Sequence, residues 1–497
     1  MKQSTILFLF LKIYNMVWKL VLPLLKRNAR LSHGIIQRTS CSHLQQSDIW
    51  IHGASAGEAY LSLTLIKALV KSNGKLPGKI LLTATTSQGI DILNTSMQFS
   101  STTNAHPPSN TDTMQKLRQP EQEKSKLPEF IKTTEPLSQP NAYCSSEQIK
   151  TAWFPFDIPR LMTEVIDRIK PRLIVLIETE LWPGLLAAAR KKQCRVLIIN
   201  GRLSRKSHRH YKLTKWLWRT VAPDAILATS SNDCEKFRAI FPEAHIDLMP
   251  NMKFDTILSS VKHEDTPSND NPPHEEKICN AKNTTYEENI SQDFKFLPLD
   301  VPISIFASIH KEEEKDILNI MENMITKLPE QVILLFPRHM HRNDAWKKAL
   351  GRPDKKIKWE PRSEITKQVS PGTIILWDRF GDLKDAYTIA TAAFVGGSLK
   401  PLGGHNFIES IISGVPTVTG SFLDDFAWTG DEIFETNIIC KAFNNNEVIN
   451  KMLDYLKHPM DRHTVIRKGI KSLREKQGGS TLACQMINTY LQKNGKS

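Results

Sequence analysis

Three segments of the chain have the residue types and spacing of a chemical site. The first is GGSLKPLGGHNFIE at 396–409. A strand-like AAFVGGS leads into a glycine-rich turn and then a helical stretch, so the amides around Gly397, Ser398, Gly403 and Gly404 can approach an anion at a helix start. Glu409 lies four residues after His405, about one turn into that helix, where a carboxylate can hold ribose hydroxyls. The plainer alternative is a turn that uses its glycines for tight packing; His405, Asn406 and Glu409 beside them favour binding of a phosphate and nucleotide. The second segment is HGASAGE at 52–58. Small residues admit a ligand to the backbone, and Glu58 opens the following helix, either as a general base or as an acid favoured by the positive end of the helix dipole. The same residues fit G-x-S-x-G, the nucleophile elbow that would make Ser55 a nucleophile. Its position on the first strand of the chain, directly after an apolar helix, speaks against that reading. The third segment is IETELWP at 177–183, where Glu178 and Glu180 close an apolar strand. Two acids there are costly unless they bind something or meet a base.

Further candidates surround these. ASIHKEEE at 307–314 and FPRHMHR at 336–342 each follow a strand, which aims His310, Arg338 and His339 at a ligand. His339 and His341 form a His-x-His pair, but no acid or cysteine completes a metal set, and phosphate contact is the better reading. Asp424 and Asp425 read as helix caps. Between Arg190 and Arg219 the chain is densely basic, with Arg202, Arg205, Trp216 and Trp218 among the residues. Such a run suits a nucleic acid or an anionic membrane carrying phosphorylated lipid. No nucleic-acid motif accompanies it. The whole chain carries a formal net charge of +14 over 497 residues, which calls for an anionic partner.

The elements that must position these groups alternate. Apolar runs at 48–52, 79–85, 172–178, 195–200 and 224–229 read as buried strands, with helical segments at 58–71, 87–93, 184–192, 205–220 and 232–240. A second series of strands follows at 303–308, 331–337, 373–377, 392–397, 415–420 and 437–440. Alternation of this kind predicts two Rossmann-like, doubly wound parallel α/β domains, with ligands at the carboxyl ends of the strands and a cleft where the domains face each other. The expected division is a helix over 1–30, a first domain over 31–258 and a second over 297–497. Residues 97–150 and 259–296 are polar tracts that cannot bury enough apolar surface to fold, and read as insertions or linkers.

The N-terminal run Thr5–Leu25 is mostly apolar, with Lys12, Lys19 and Lys26 on one helical face and Pro23 expected to bend or end it. It suits a helix lying in the headgroup region, or a single anchor, rather than a cleaved signal. Lys26, Arg27 and Arg30 beside it favour a cytoplasmic face. The seven cysteines are scattered without a C-x-x-C pair, which argues for a reducing compartment and against a zinc site.

Taken together and in order, HGASAGE, TATTSQG, FPFD, IETELWP, INGRLS, NMKFD, ASIHKEEE, FPRH and GGSLKPLGGHNFIE resemble the 3-deoxy-D-manno-octulosonic acid (Kdo) transferases of lipopolysaccharide synthesis. The resemblance implies a GT-B fold, CMP-Kdo as donor and a lipid A precursor at the cytoplasmic side of the inner membrane as acceptor, with no cofactor, metal or nucleic acid. It makes Glu58 the catalytic acid-base residue. It assigns the donor to Arg338, Gly397, Ser398, Asn406 and Glu409, with Lys253 as an inter-domain lysine that joins the donor groups; the residues themselves add His310, His339 and Gly404 to the donor site and Ser55, Gly57, Thr86, Glu178, Glu180, Arg202 and Arg205 to the acceptor site. The chain departs from the family pattern at Ile309, at Glu312–Glu314, at Met340–His341 and at Phe407 and Ser410, which bears on local loop detail. A sugar-nucleotide epimerase of similar build, or a non-catalytic binder of anionic membranes, would account for part of these features only.

Overall fold

The computed structural model describes residues 2–27, 33–98, 148–259, 294–298, 300–354 and 357–493. Most of the two polar tracts lies outside the described residues. The chain divides into two compact units, Met1–Ser260 with Lys476–Ser497, and Val261–Glu475.

The first unit is built on a seven-stranded parallel sheet. Its strands are β1 (Ile49–His52), β2 (Ile80–Ala84), β3 (Ile149–Trp153), β4 (Leu173–Ile177), β5 (Arg195–Gly201), β6 (Ala225–Ala228) and β7 (His245–Leu248), in the order β3-β2-β1-β4-β5-β6-β7. The order reverses at β1 and β4, the switch point at which ligands of open α/β sheets bind. The central strands are continuously apolar because both faces are covered. Ile49, Ile51, Val175 and Leu197 pack against the helix Ala56–Asn73 on one side. Trp50, Ile174, Leu176 and Ile198 pack under the helices Pro159–Ile169 and Pro183–Lys191 on the other. The edge strands β3 and β7 fall in no apolar run, since most of their residues are partly or fully exposed.

The sequence places everything after 297 in a second domain, whereas the last helix, Gly479–Lys493, packs with the first unit. Ala483, Cys484, Ile487 and Leu491 join the core beside the helix Ala56–Asn73. Its entry is fixed by Asp255, on the helix Met252–Ser259, whose carboxylate accepts from the amides of Gly478 (2.9 Å) and Ser480 (2.6 Å). This is a helix cap supplied by another element. Gly479 is required at the junction, because a Cβ there would lie 2.2 Å from the carbonyl oxygen of Pro250.

The second unit repeats the design with β8 (Ile303–Ile309), β9 (Val332–Pro337), β10 (Lys358–Pro361), β11 (Thr373–Leu376), β12 (Ala392–Val395), β13 (Thr417–Thr419) and β14 (Ile439–Lys441), all parallel, in the order β10-β11-β9-β8-β12-β13-β14. Two seven-stranded Rossmann-like sheets make the GT-B class.

The helix Lys2–Arg27 continues through Pro23 instead of ending there. One side rests on the first unit: Phe10 meets Trp216 edge-on, Trp18 meets Phe156, and the Tyr14 hydroxyl donates to Asp157 at 3.1 Å. Ile6, Leu9, Ile13, Met16, Leu20 and Leu24 remain exposed, spaced by three or four residues along one stripe, with Val17 beside them. By length and composition it is the only helix among the described residues apolar enough to cross a membrane.

Replacing Asp255 with alanine removes both amide partners. The transition that melts the first unit should fall by the equivalent of roughly 1–2 kcal/mol, the usual cost of a lost cap. Differential scanning calorimetry of the full chain checks this, and an unchanged melting profile would refute the capping role.

Candidate functional site

In the first unit the site forms around the carboxyl ends of β1 and β4. Ser55 is the N-cap of the helix Ala56–Asn73 and Glu58 is its third residue; together they form a capping box. The Glu58 carboxylate accepts from the Ala54 amide at 2.6 Å, the Ser55 amide at 3.5 Å and the Ser55 hydroxyl at 2.8 Å. The cap role weighed for Glu58 is therefore real. It also holds the side chain rigidly, and a carboxylate with about four acceptor directions keeps one of them on Oε1. Ser55 spends its hydroxyl on Glu58 and on the helix amide, so the nucleophile-elbow reading is set aside. Gly53 is demanded by packing, since a Cβ would sit 2.9 Å from the Glu58 backbone, while a Cβ at the exposed Gly57 would meet nothing closer than 3.9 Å. Thr86 caps the next helix, accepting from the Gly89 amide at 3.1 Å and donating to the Ala54 carbonyl, which ties the β2 loop to the β1 loop.

Glu178 leaves β4 in the left-handed backbone region, φ 59°, uncommon for any residue but glycine. The turn brings Glu178 and Glu180 to Glu58. Burial, then the charge of Glu178, raises the Glu58 carboxyl above its ordinary range. Burial, then the charges of Glu58 and Glu178, pushes Glu180 up to about 8. Glu178 pairs with Lys253 at 3.0 Å. Lys253 sits on the helix Met252–Ser259 of this unit. Arg202 follows β5 and is tied to the β4 turn, its amide donating to the Thr179 hydroxyl at 3.1 Å and its carbonyl accepting from it. Arg205 opens the exposed helix Arg205–Leu213.

Sequence reasoning overlooked two buried groups here. His52 is fully buried against Phe154, with Nδ1 3.1 Å from the Thr83 carbonyl oxygen, and burial lowers its imidazole to about 3, so it stays neutral. Asp157, in FPFD, accepts from the amides of Gly184 (2.8 Å) and Leu185 (2.7 Å) and fixes the helix that follows the acidic turn.

In the second unit the glycine turn differs from expectation. The Glu313 carboxylate, fully buried, accepts from the amides of Gly397 (2.7 Å), Ser398 (3.0 Å), Leu399 (2.9 Å) and His310 (3.2 Å). Gly404 donates its own amide to the Gly397 carbonyl at 2.8 Å, and the Ser398 side chain is buried, donating to Val395 and accepting from Gly420. The amides assigned to a phosphate at Gly397, Ser398 and Gly404 are thus occupied by the protein itself. The helix behind them, Ile408–Ile412, has five residues and is too short to add a useful dipole. What the turn does is present side chains. Asn406 donates to Glu409 at 2.7 Å, and His405 stacks on His310 with ring centroids 4.8 Å apart. His339 meets His310 edge-on and stacks on His341. Arg338, exposed at the end of β9, lies close enough for its charge to depress both His310 and His405. Among the described residues no cluster of ligating side chains could hold a metal ion. Glu313 carried no distinguishing signal, because it is the second of three consecutive acids in HKEEE.

A buried acid whose pKa is raised by folding destabilises the folded state as it ionises. For Glu180 that cost is absent below the unfolded value and complete above about 8. Glu180→Gln should therefore raise the melting temperature at pH 9 relative to the parent and leave it unchanged at pH 4. An equal effect at both pH values would overturn the assignment.

Comparison with known proteins bears on the same residues. The family model described as 3-Deoxy-D-manno-octulosonic-acid transferase (kdotransferase) matches residues 26–119 and 131–256. A 3-deoxy-D-manno-octulosonic acid transferase of Haemophilus influenzae is 26% identical over 69% of this chain and 75% of its own length. A bifunctional glycosyltransferase/methyltransferase of Fusobacterium nucleatum is 26% identical over 62% of this chain, but the match spans only 44% of that longer protein. Among solved structures, the C-terminal CMP-Kdo binding domain of WaaA from Acinetobacter baumannii is 26% identical, is covered completely and covers 39% of this chain, with a TM-score of 0.34. These sequence relatives make the chain a glycosyltransferase, similar to the Kdo transferases over residues 26–119 and 131–256.

Proposed function

We propose that the protein transfers Kdo from CMP-Kdo to a lipid A precursor, a step of lipopolysaccharide synthesis, at the cytoplasmic side of the inner membrane. The observation that carries this is Glu58: a carboxylate locked by its own helix cap, one acceptor direction left, its proton affinity raised by burial and by Glu178. A base poised in this way suits removal of a proton from a sugar hydroxyl. The deprotonated oxygen forms a bond to the anomeric carbon of Kdo, the bond from that carbon to the CMP phosphate breaks, and the centre inverts. Negative charge gathers on the departing phosphate, where Arg338 and the neighbouring imidazoles stabilise it. Asn406 and Glu409 hold the nucleotide. Lys253 steadies Glu178 beside the base.

Support for the acceptor comes from the outer surface of the first unit. The exposed apolar stripe of the helix Lys2–Arg27 and the basic helix Arg205–Leu213, with exposed Leu213 and Trp216, have the composition of a membrane-lying surface. Phe10 meets Trp216, which lies on the following helix Lys215–Thr220. Arg202 and Arg205, with no ion pair among the described residues, are the cations offered to the acceptor's phosphates. Ser55, Gly57, Thr86 and Glu180 line the approach to Glu58.

Radiolabel transfer from CMP-Kdo to a tetraacyl lipid A precursor, counted in the lipid phase, tests the reading. The parent should transfer label, and Glu58→Gln should lose about 10²–10⁴-fold in rate while still binding CMP. Full activity in that variant removes Glu58 from the role of base, and absence of transfer by the parent removes the substrate assignment.

A further inference from the structure

The second unit contains a contact that the transfer reaction does not by itself require. Nε2 of His310 and Nε2 of His405 are 2.6 Å apart, and the two rings lie nearly parallel at 13°. Two imidazole nitrogens can approach so closely only with one proton between them, one ring donating and the other accepting. On its far side, Nδ1 of His310 lies 4.0 Å from the Glu312 carboxylate. Glu312, His310 and His405 thus lie in a row that begins at the exposed Glu312 carboxylate and ends at His405.

The charges facing this chain come from three strand ends. After β8 stand His310, Glu312 and Glu313. After β9 stand Arg338, His339 and His341. After β12 stands His405. Glu313 is already bound to four backbone amides. Burial, then the charge of Arg338, holds His405 down to about 3, and the same two causes lower His310. Both rings are thus biased towards the neutral form; beyond burial, Arg338 is the largest charge acting on His405, while at His310 the charge of Glu313 opposes it. An anion seated on Arg338 cancels that repulsion and adds an attraction of its own. The imidazole pair then gains a proton while keeping the shared hydrogen bond, because an imidazolium can still donate Nε2–H to its neighbour.

We propose that the His310–His405 pair is a proton-uptake site for the phosphate of CMP: binding of the anion at Arg338 draws one proton from solvent onto the pair, so that the phosphomonoester dianion meets two positive charges where the free protein presents one. The inference rests on the assignment of the donor site to this unit. It predicts a sign. The pair's pKa is higher in the bound than in the free protein. Its contribution to affinity is then complete at low pH and is lost as pH rises through the bound-state value, by up to about tenfold per pH unit.

The test is isothermal titration calorimetry of the full chain with CMP at pH 7 in PIPES, MOPS and Tris, whose ionisation enthalpies differ. The observed enthalpy should depend linearly on the buffer's ionisation enthalpy, with a slope showing uptake that approaches one proton per CMP. His405→Asn and His310→Asn should each bind CMP more weakly and with a slope near zero. A flat dependence in the parent, with CMP bound, overturns the proton uptake and leaves the donor assignment standing. So does a slope retained in both variants. No binding of CMP by the parent overturns both.

Discussion

Three carboxylates held at one end of a sheet set the terms for the first unit. Glu58, Glu178 and Glu180 gather where β1 and β4 end, partly shielded from water, and each charge placed there makes the next one harder to place. The fold answers each in a different way. Glu58 is held by the capping box of its own helix, Glu178 is neutralised by Lys253, and Glu180 is left to keep its proton into the alkaline range. A base of raised proton affinity follows from this arrangement without any unusual chemistry. So does the need for the left-handed turn at Glu178, for Thr179 to bind the β5 loop, and for Asp157 to anchor the helix behind the acidic turn.

The second unit solves the opposite problem. There the cation Arg338 stands near His310 and His405, whose charged forms burial disfavours, and the one buried acid among the described residues of that unit, Glu313, is committed to the backbone of the glycine turn. An anionic ligand is what this arrangement suits. The turn's glycines, read alone, look like a phosphate cradle. Their amides instead bind Glu313 and one another, and the turn serves to hold His405, Asn406 and Glu409 in place.

Much of this was legible in the sequence because buried parallel strands announce themselves as apolar runs: LIVLI and VILLF mark β4 and β9 directly. The edge strands β3, β7 and β10 did not, since a strand covered on one side only needs few apolar residues; His245–Leu248 buries only Ile246. Helix Gly479–Lys493 was assigned to the wrong unit because its amphipathic pattern states that one face is buried, not against what. Glu58, Glu178 and Glu180 stood out by position, at the ends of apolar strands. Lys253 and Glu313 could not be placed, because a single charged residue in a polar segment carries no record of a partner distant in sequence.

The central claim is that burial, with the charge of Glu178 beside it, raises the proton affinity of the base. The pH dependence of kcat for Kdo transfer by the parent and by Glu178→Gln measures it most directly. The account predicts an acidic limb centred above the ordinary carboxylate range in the parent, shifted to lower pH when the neighbouring carboxyl becomes an amide. A limb at an ordinary carboxylate value in the parent, or one that the substitution leaves in place, would contradict it.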